Sequence, residues 1–146
     1  NLIRERHPEA QFSIHMIRQW KERWSFIGEP RDRVVVTAPV KGRATEIDIT
    51  HEMRMACESI LPPICETMLD LLSKVEPDFQ EKVRNNVVLA GGTSLITGLT
   101  DAIQKALLDL GGGRAVVVKD PVFAGSDGSL AIAKDASSAD WEKLSL

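Results

Sequence analysis

The means for metal or redox chemistry are scarce in this 146-residue chain, which has two cysteines and three histidines. Cys57 and Cys65 lie eight apart in a stretch read as helical, so a disulfide between them would need a bend near Pro62-Pro63. The expectation is instead a pair of reduced, buried thiols in a reducing compartment. With no second cysteine pair and with His7, His15 and His51 scattered, the sequence gives no support for a zinc site. Long hydrophobic runs are missing too. No stretch approaches the roughly 20 apolar residues that cross a bilayer, and no basic-then-apolar segment opens the chain. Aromatic residues make up only 5% and the net charge is -3, with no basic stripe interleaved with stacking rings. Nucleic acid is therefore a poor fit as partner.

What is present is ordinary for a globular piece: 43% apolar and 27% charged residues, enough for one domain with a core of normal size. The expectation is a soluble, cytoplasmic protein. Charge is unevenly spread. Residues 1–43 carry nine Lys or Arg against five acids, whereas residues 44–80 carry two against eight. Opposed charge of this kind could draw subunits together head to tail, although solvated helix faces are the stronger explanation on sequence grounds alone.

Helical spacing predicts a segment from Asn1 to Arg6 ended by His7-Pro8, and a helix capped by Ser13 that runs to about Phe26 and closes at Gly28. The uncapped start and a first residue other than Met are what a piece of a larger protein would have. Arg33 to Pro39 and Arg43 to Ile49 read as a hairpin about Lys41-Gly42, with Thr45, Ile47 and Ile49 on its dry face. A helix from Thr50 to Ile60 resumes after Pro62-Pro63 and continues to about Val75, its Ile64, Met68, Leu71, Leu72 and Val75 lying along a core. Glu76-Pro77-Asp78 starts a short helix ending near Asn85. Val87 to Ala90 and Ala115 to Val118 read as buried strands flanking a helix to about Leu110 and the Gly111-Gly-Gly113 turn. Pro121 leads through Phe123 into a helix from about Gly125 to Lys134, followed by a frayed tail from Ala136 to Leu146. Trp20 and Phe123 are expected in the core rather than stacked on a ligand.

The segment Asn86-Val-Val-Leu-Ala-Gly-Gly-Thr-Ser-Leu-Ile-Thr-Gly-Leu99 carries the most chemistry. An apolar strand enters Gly91-Gly92, and Thr93-Ser94 opens an amphipathic run in Leu95, Leu99, Ile103, Ala106, Leu107 and Leu110. Glycine at the strand exit permits positive φ and close approach of a ligand, and the amides of a following helix favour a polar or anionic group. Strand-to-helix packing alone can also account for such a pair.

Three segments in order resemble the second half of the actin-like ATPase superfamily. Gly91, Gly92, Thr93 and Ser94 match its adenosine loop. Ile17-Arg-Gln-Trp-Lys-Glu-Arg-Trp-Ser-Phe-Ile-Gly28 is similar to the helix whose Lys-Glu pair touches the nucleotide from the opposite lobe, here Lys21 and Glu22. Lys119-Asp-Pro-Val-Phe-Ala-Gly125 and the small-residue run after it resemble the closing segment. Within the superfamily the likeness is to bacterial actins, those of magnetosome chains more than the rod-shape type. It is carried by Ile49-Thr-His-Glu-Met-Arg54, Ala56-Cys-Glu-Ser59 and Arg84-Asn-Asn-Val-Val-Leu-Ala-Gly-Gly92. One departure is Thr93, where many bacterial actins have a third glycine.

The resemblance implies an α/β, ribonuclease H-like actin fold, C-terminal half, with residues 13–60 as a small inserted lobe and residues 1–12 and 61–146 in the larger, adenosine-side lobe. It implies ATP or ADP with Mg²⁺, self-association into filaments and magnetosome-associated partners. Lys21 would offer a cation, Glu22 would accept a ribose hydroxyl, and the Gly91-Gly92 turn would lie against adenosine with Thr93 and Ser94 as hydrogen-bonding groups. The two Asp-x-Gly hairpins that hold phosphate and metal in such ATPases do not occur in the chain, and Asp127-Gly128 reads as a helix start. The chain alone is therefore expected not to hydrolyse ATP, and the metal would be held mainly by residues elsewhere. A non-polymerising kinase or chaperone of the same fold, and a degenerate paralogue regulating a partner filament, remain as alternatives.

Overall fold

A computed structural model describes residues 2–144. Asn1, Ser145 and Leu146, to which the expected first helix and frayed tail extend, lie outside the described residues. The chain opens with α1 (Leu2–Arg6) and α2 (Ile14–Trp24). Ser13 caps α2 as its position suggests, its Oγ accepting the Met16 amide at 3.2 Å. The helix stops at Trp24, earlier than Phe26, because Ser25 turns extended and Phe26 bridges to Thr97. Gly28 then supplies a left-handed residue at φ 87° in the following loop.

The hairpin is as the alternation demands. Strands β1 (Val35–Val40) and β2 (Arg43–Asp48) pair antiparallel, and both turn residues, Lys41 at φ 50° and Gly42 at φ 78°, sit in the left-handed region. That is the two-residue turn whose twist matches its strands. Val36 and Ala38 face inward while Val35 and Thr37 face solvent.

Two helices follow, α3 (Thr50–Glu58) and α4 (Leu61–Ser73). The sequence suggests Pro62-Pro63 as the interruption between them, but both prolines lie inside the first turn of α4, where the missing amide costs nothing. The step falls instead at Ser59-Ile60. Asp48 anchors the start of α3 by accepting both the amide and the hydroxyl of Thr50, at 2.9 and 2.6 Å. After α5 (Pro77–Arg84) comes a βαβ unit: β3 (Val87–Leu89), α6 (Leu99–Asp109) and β4 (Ala115–Val117), with β3 and β4 parallel. Gln104 of α6 stitches the unit together, donating to the Gly113 carbonyl and accepting the Ala115 amide. α7 (Ala124–Asp135) and α8 (Ser138–Leu144) complete the chain. The tail expected to be frayed is thus helical, because Ser137 and Asp140 cap it reciprocally: each backbone amide is accepted by the other's side chain.

One apolar core joins these parts. Trp20, Phe26, Val36, Ile49, Met53 and Cys57 pack continuously with Ile96, Leu99, Ile103 and Leu107. Trp20 is buried, as expected, in tilted contact with Phe12. Phe123 is not, being 59% exposed where the chain rounds Asp120 and Pro121 to enter α7. The α4 face is also more open than its spacing suggests, since only Leu72 is fully buried and Leu71 stands out. Both cysteines are free, Cys57 buried and Cys65 half-buried. No described helix is long and apolar enough to cross a membrane.

Candidate functional site

The glycine turn is built by strand exit. β3 ends at Leu89, and Gly91 takes φ 83°, ψ 161°, a conformation that glycine reaches without a Cβ penalty. Its amide donates to the Pro121 carbonyl at 2.7 Å, which fastens the turn to the segment leading into α7. Residues Gly92–Leu95 then form a single 3₁₀ turn rather than the first turn of a long α-helix. The reason lies in Thr97-Gly98. The Thr97 amide donates to the Ser25 carbonyl and its own carbonyl accepts the Ile27 amide at 2.8 Å, so the chain must run extended here. Gly98, at φ 82°, restarts the helix as the cap of α6.

These contacts bring the two remote motifs together. Thr93 and Lys21 line one cleft of about 420 Å³, together with Ile17, Glu52, Met53, Cys57 and Ile96. Thr93 is exposed at its edge; Gly92 before it is exposed but does not line the cleft, and a Cβ on Gly92 would meet nothing within 4 Å. Ser94 behaves differently: it is buried, and its hydroxyl donates to the Gly91 carbonyl at 2.7 Å. It braces the turn from inside. Glu22 points elsewhere, accepting from Arg18 Nε at 2.8 Å and facing a separate hollow with Gln19, Trp20, Arg23 and Trp24. Neighbours one residue apart on a helix diverge by about 100°, so Lys21 and Glu22 cannot both point into the same narrow cleft in this arrangement.

The carboxylate that does line the cleft is Glu52, 3% exposed on α3, with Arg6 Nε 3.1 Å from its Oε1 in an ion pair that lacks hydrogen-bond alignment. Sequence reasoning missed it, because a Glu in the first turn of a helix reads as a helix-dipole partner. It also missed Gly98 and the Glu58 carboxylate, which accepts from Arg54 at 2.9 Å and from the Gly28 amide at 3.3 Å, tying α3 to the loop after α2. Burial pushes the Cys57 thiol up from its ordinary pKa at the cleft wall. Among the described residues no cluster of His, Cys, Asp or Glu could hold a metal ion. The cleft combines the Lys21 ammonium, the Arg4 guanidinium, the Glu52 carboxylate and the Thr93 hydroxyl with apolar walls. That suits a ligand with a flat apolar body and polar edges.

A parallel βαβ unit with a glycine turn at its strand exit, joined through one core to a helix-and-hairpin lobe, is an actin-like arrangement, and the fold is that of actin-like proteins. The particular likeness is to MamK. The actin-like protein MamK of Paramagnetospirillum magneticum (strain AMB-1) is 35% identical over 144 residues, 99% of this chain and 42% of that protein. A MamK double helical filament superposes with a TM-score of 0.88 at 35% identity, over 92% of this chain and 42% of its own. A non-polymerising MamK mutant bound to AMPPNP gives a TM-score of 0.83 at 36% identity, over 92% of this chain and 41% of its own. No protein-family model matches the chain. The chain thus spans about two fifths of the length of the relatives it matches.

Proposed function

We propose that this chain is the nucleoside-side portion of an ATP-binding, filament-forming cytoskeletal protein of the MamK type, with its adenosine platform at Gly91, Gly92 and Thr93. The observation that carries the reading is the shared cleft: Lys21 and Thr93, 72 positions apart, line one cavity in a chain similar to MamK structures in both filamentous and AMPPNP-bound form. Lys21 supplies positive charge, Thr93 a hydroxyl, and Ser94 stiffens the turn from behind. Glu22 is assigned to the ribose, a role that requires it to leave Arg18 when nucleotide arrives. The inserted lobe comprises residues 13–60, and residues 1–12 and 61–146 belong to the larger lobe.

ATP hydrolysis belongs to the longer protein. Phosphoryl transfer needs metal and phosphate donors in place, and no Asp-x-Gly hairpin of that kind occurs in this sequence. Mg²⁺ would be held mainly by residues outside this chain. The cellular task we assign is alignment of magnetosomes by filaments in the cytoplasm. Head-to-tail contacts that do not close produce such filaments.

Gly92→Val tests the site cleanly, because position 92 has neither a left-handed φ nor a neighbour that a Cβ would strike. In the protein that carries this chain, fluorescent ATP-analogue titration should give at least tenfold weaker binding for Gly92→Val and for Lys21→Ala, with unfolding midpoints nearly unchanged. Pelleting should require ATP. Unaltered affinity in both variants removes the site; failure to pellet with ATP, ADP or neither removes the filament.

A further inference from the structure

The wall of the cleft carries a buried acceptor that no donor fills. Glu52 lies in the first turn of α3 and is 3% exposed, and its Oε1 has no hydrogen-bond donor among the described residues. Arg6 balances its charge from 3.1 Å, but that guanidinium is itself largely exposed and is not aligned to donate. A buried carboxylate oxygen without a donor is costly unless a bond is completed there. The group is also held rigidly. Asp48 fixes the start of α3 through Thr50, at 2.9 and 2.6 Å, and the Met53 amide donates to the Ile49 carbonyl at 2.9 Å. An acceptor that is fixed, dry and unfilled, in a cavity shared with Lys21 and Thr93, is one that a ligand's N–H or O–H group would complete.

We propose that Glu52 is a specificity-determining residue of the adenosine site, accepting a hydrogen bond from the exocyclic 6-amino group of adenine. This rests on the nucleotide reading of the cleft. An ionised carboxylate only accepts, so it cannot face a triphosphate, which is anionic and carries acceptors. Lys21 and Arg4, which line the cleft from exposed positions, suit that end of the ligand. The donors of an adenine nucleotide are the ribose hydroxyls, assigned above to Glu22, and the 6-amino group. Ile17, Met53 and Ile96 line the cleft with Glu52, and such walls fit the faces of a flat base better than a sugar. The 6-amino group is the donor that remains. The consequence is discrimination at that position of the purine. A 6-oxo base puts a lone-pair oxygen where the amine would be, so two acceptors oppose each other in a dry site and neither is satisfied.

The test compares ATP, inosine triphosphate and 2′-deoxy-ATP by competition against a fluorescent ATP analogue, in the protein that carries this chain. Inosine triphosphate should bind roughly 100-fold more weakly than ATP, as in sites built to receive an N–H donor. Glu52→Gln keeps the side-chain shape and offers an amide that either accepts from the amine or donates to a 6-oxo group. In that variant ATP and inosine triphosphate should bind within about fivefold of each other. A merely structural carboxylate would not produce this exchange, because damage to the fold weakens all nucleotides alike. Equal affinity for ATP and inosine triphosphate in the unsubstituted protein overturns the proposal, whether or not the variant folds. So does a Glu52→Gln variant that keeps the preference for ATP, or one whose discrimination changes against 2′-deoxy-ATP instead, which places Glu52 at the ribose. If ATP itself does not bind, the nucleotide site falls and this assignment with it; if ATP binds and inosine triphosphate binds as tightly, the assignment alone falls.

Discussion

Alanine at position 98 would place a methyl carbon 2.4 Å from the Ile27 carbonyl oxygen, a contact with backbone rather than with a flexible side-chain end. Two costs combine. Holding a non-glycine residue at φ 82° costs roughly 1–2 kcal/mol. Relieving the clash requires Ile27 and Thr97 to part, which strains the Ile27 amide bond to the Thr97 carbonyl, 2.8 Å, and the Thr97 amide bond to Ser25, 3.3 Å. Each contributes about 0.5–1.5 kcal/mol, so Gly98→Ala should destabilise by about 2–5 kcal/mol in total. Gly112→Ala is the control. It has φ 95° but nothing within 4 Å of the new Cβ, so only the conformational cost of about 1–2 kcal/mol applies. Urea denaturation followed by circular dichroism measures both. Because the Ile27–Thr97 contact also sets the distance between α2 and the Gly91–Ser94 turn, Gly98→Ala should weaken nucleotide binding well beyond Gly112→Ala. Equal stability losses in the two variants would refute the claim that this crossing joins the two sides of the cleft.

Two further outcomes follow from local electrostatics and burial. Hydrogen bonds from the Thr50 hydroxyl and amide hold the Asp48 carboxyl below its ordinary pKa; its stabilising contribution is therefore full above the unfolded value near 3.8 and is lost as pH falls through the folded one. Asp48→Asn should flatten the fall of stability between about pH 4 and 2, and an unchanged acid limb in thermal melts would contradict the Thr50 anchor. The buried Cys57 thiol, raised by desolvation, should react with a thiol-disulfide reagent far more slowly than half-buried Cys65, with mass spectrometry of the peptides deciding the order.

Wherever elements are legible in the sequence, the governing physics is local. Ser13 caps α2 because its hydroxyl and the helix amides are neighbours in sequence, and Lys41-Gly42 closes the hairpin because a two-residue turn needs left-handed residues there. Pro77 at the first position of α5 belongs to the same class. Two departures from expectation have opposite causes. Residues 138–144 form a helix through the reciprocal Ser137–Asp140 cap, which is also local but is masked by a polar composition. The break at Thr97-Gly98 is invisible in the sequence, because it is imposed by Ser25 and Ile27, some 70 positions away.

The sequence by itself determined most of the order of helices and strands up to α7, the hairpin and the likeness to actin-like proteins, since periodicity, caps, turn residues and motif order are all properties of neighbouring residues. Only the tertiary structure decided which of the singled-out residues meet. Lys21 and Thr93 share a cleft, Ser94 turns inward as a brace, Glu22 faces Arg18, and Glu52 takes a buried place that nothing in the sequence marks for it. The physical reason is rotation: a helix fixes which residue follows which, but packing against Phe26, Ile96 and Leu99 sets the angle at which α2 presents each side chain, and one position of difference separates a cleft wall from open solvent.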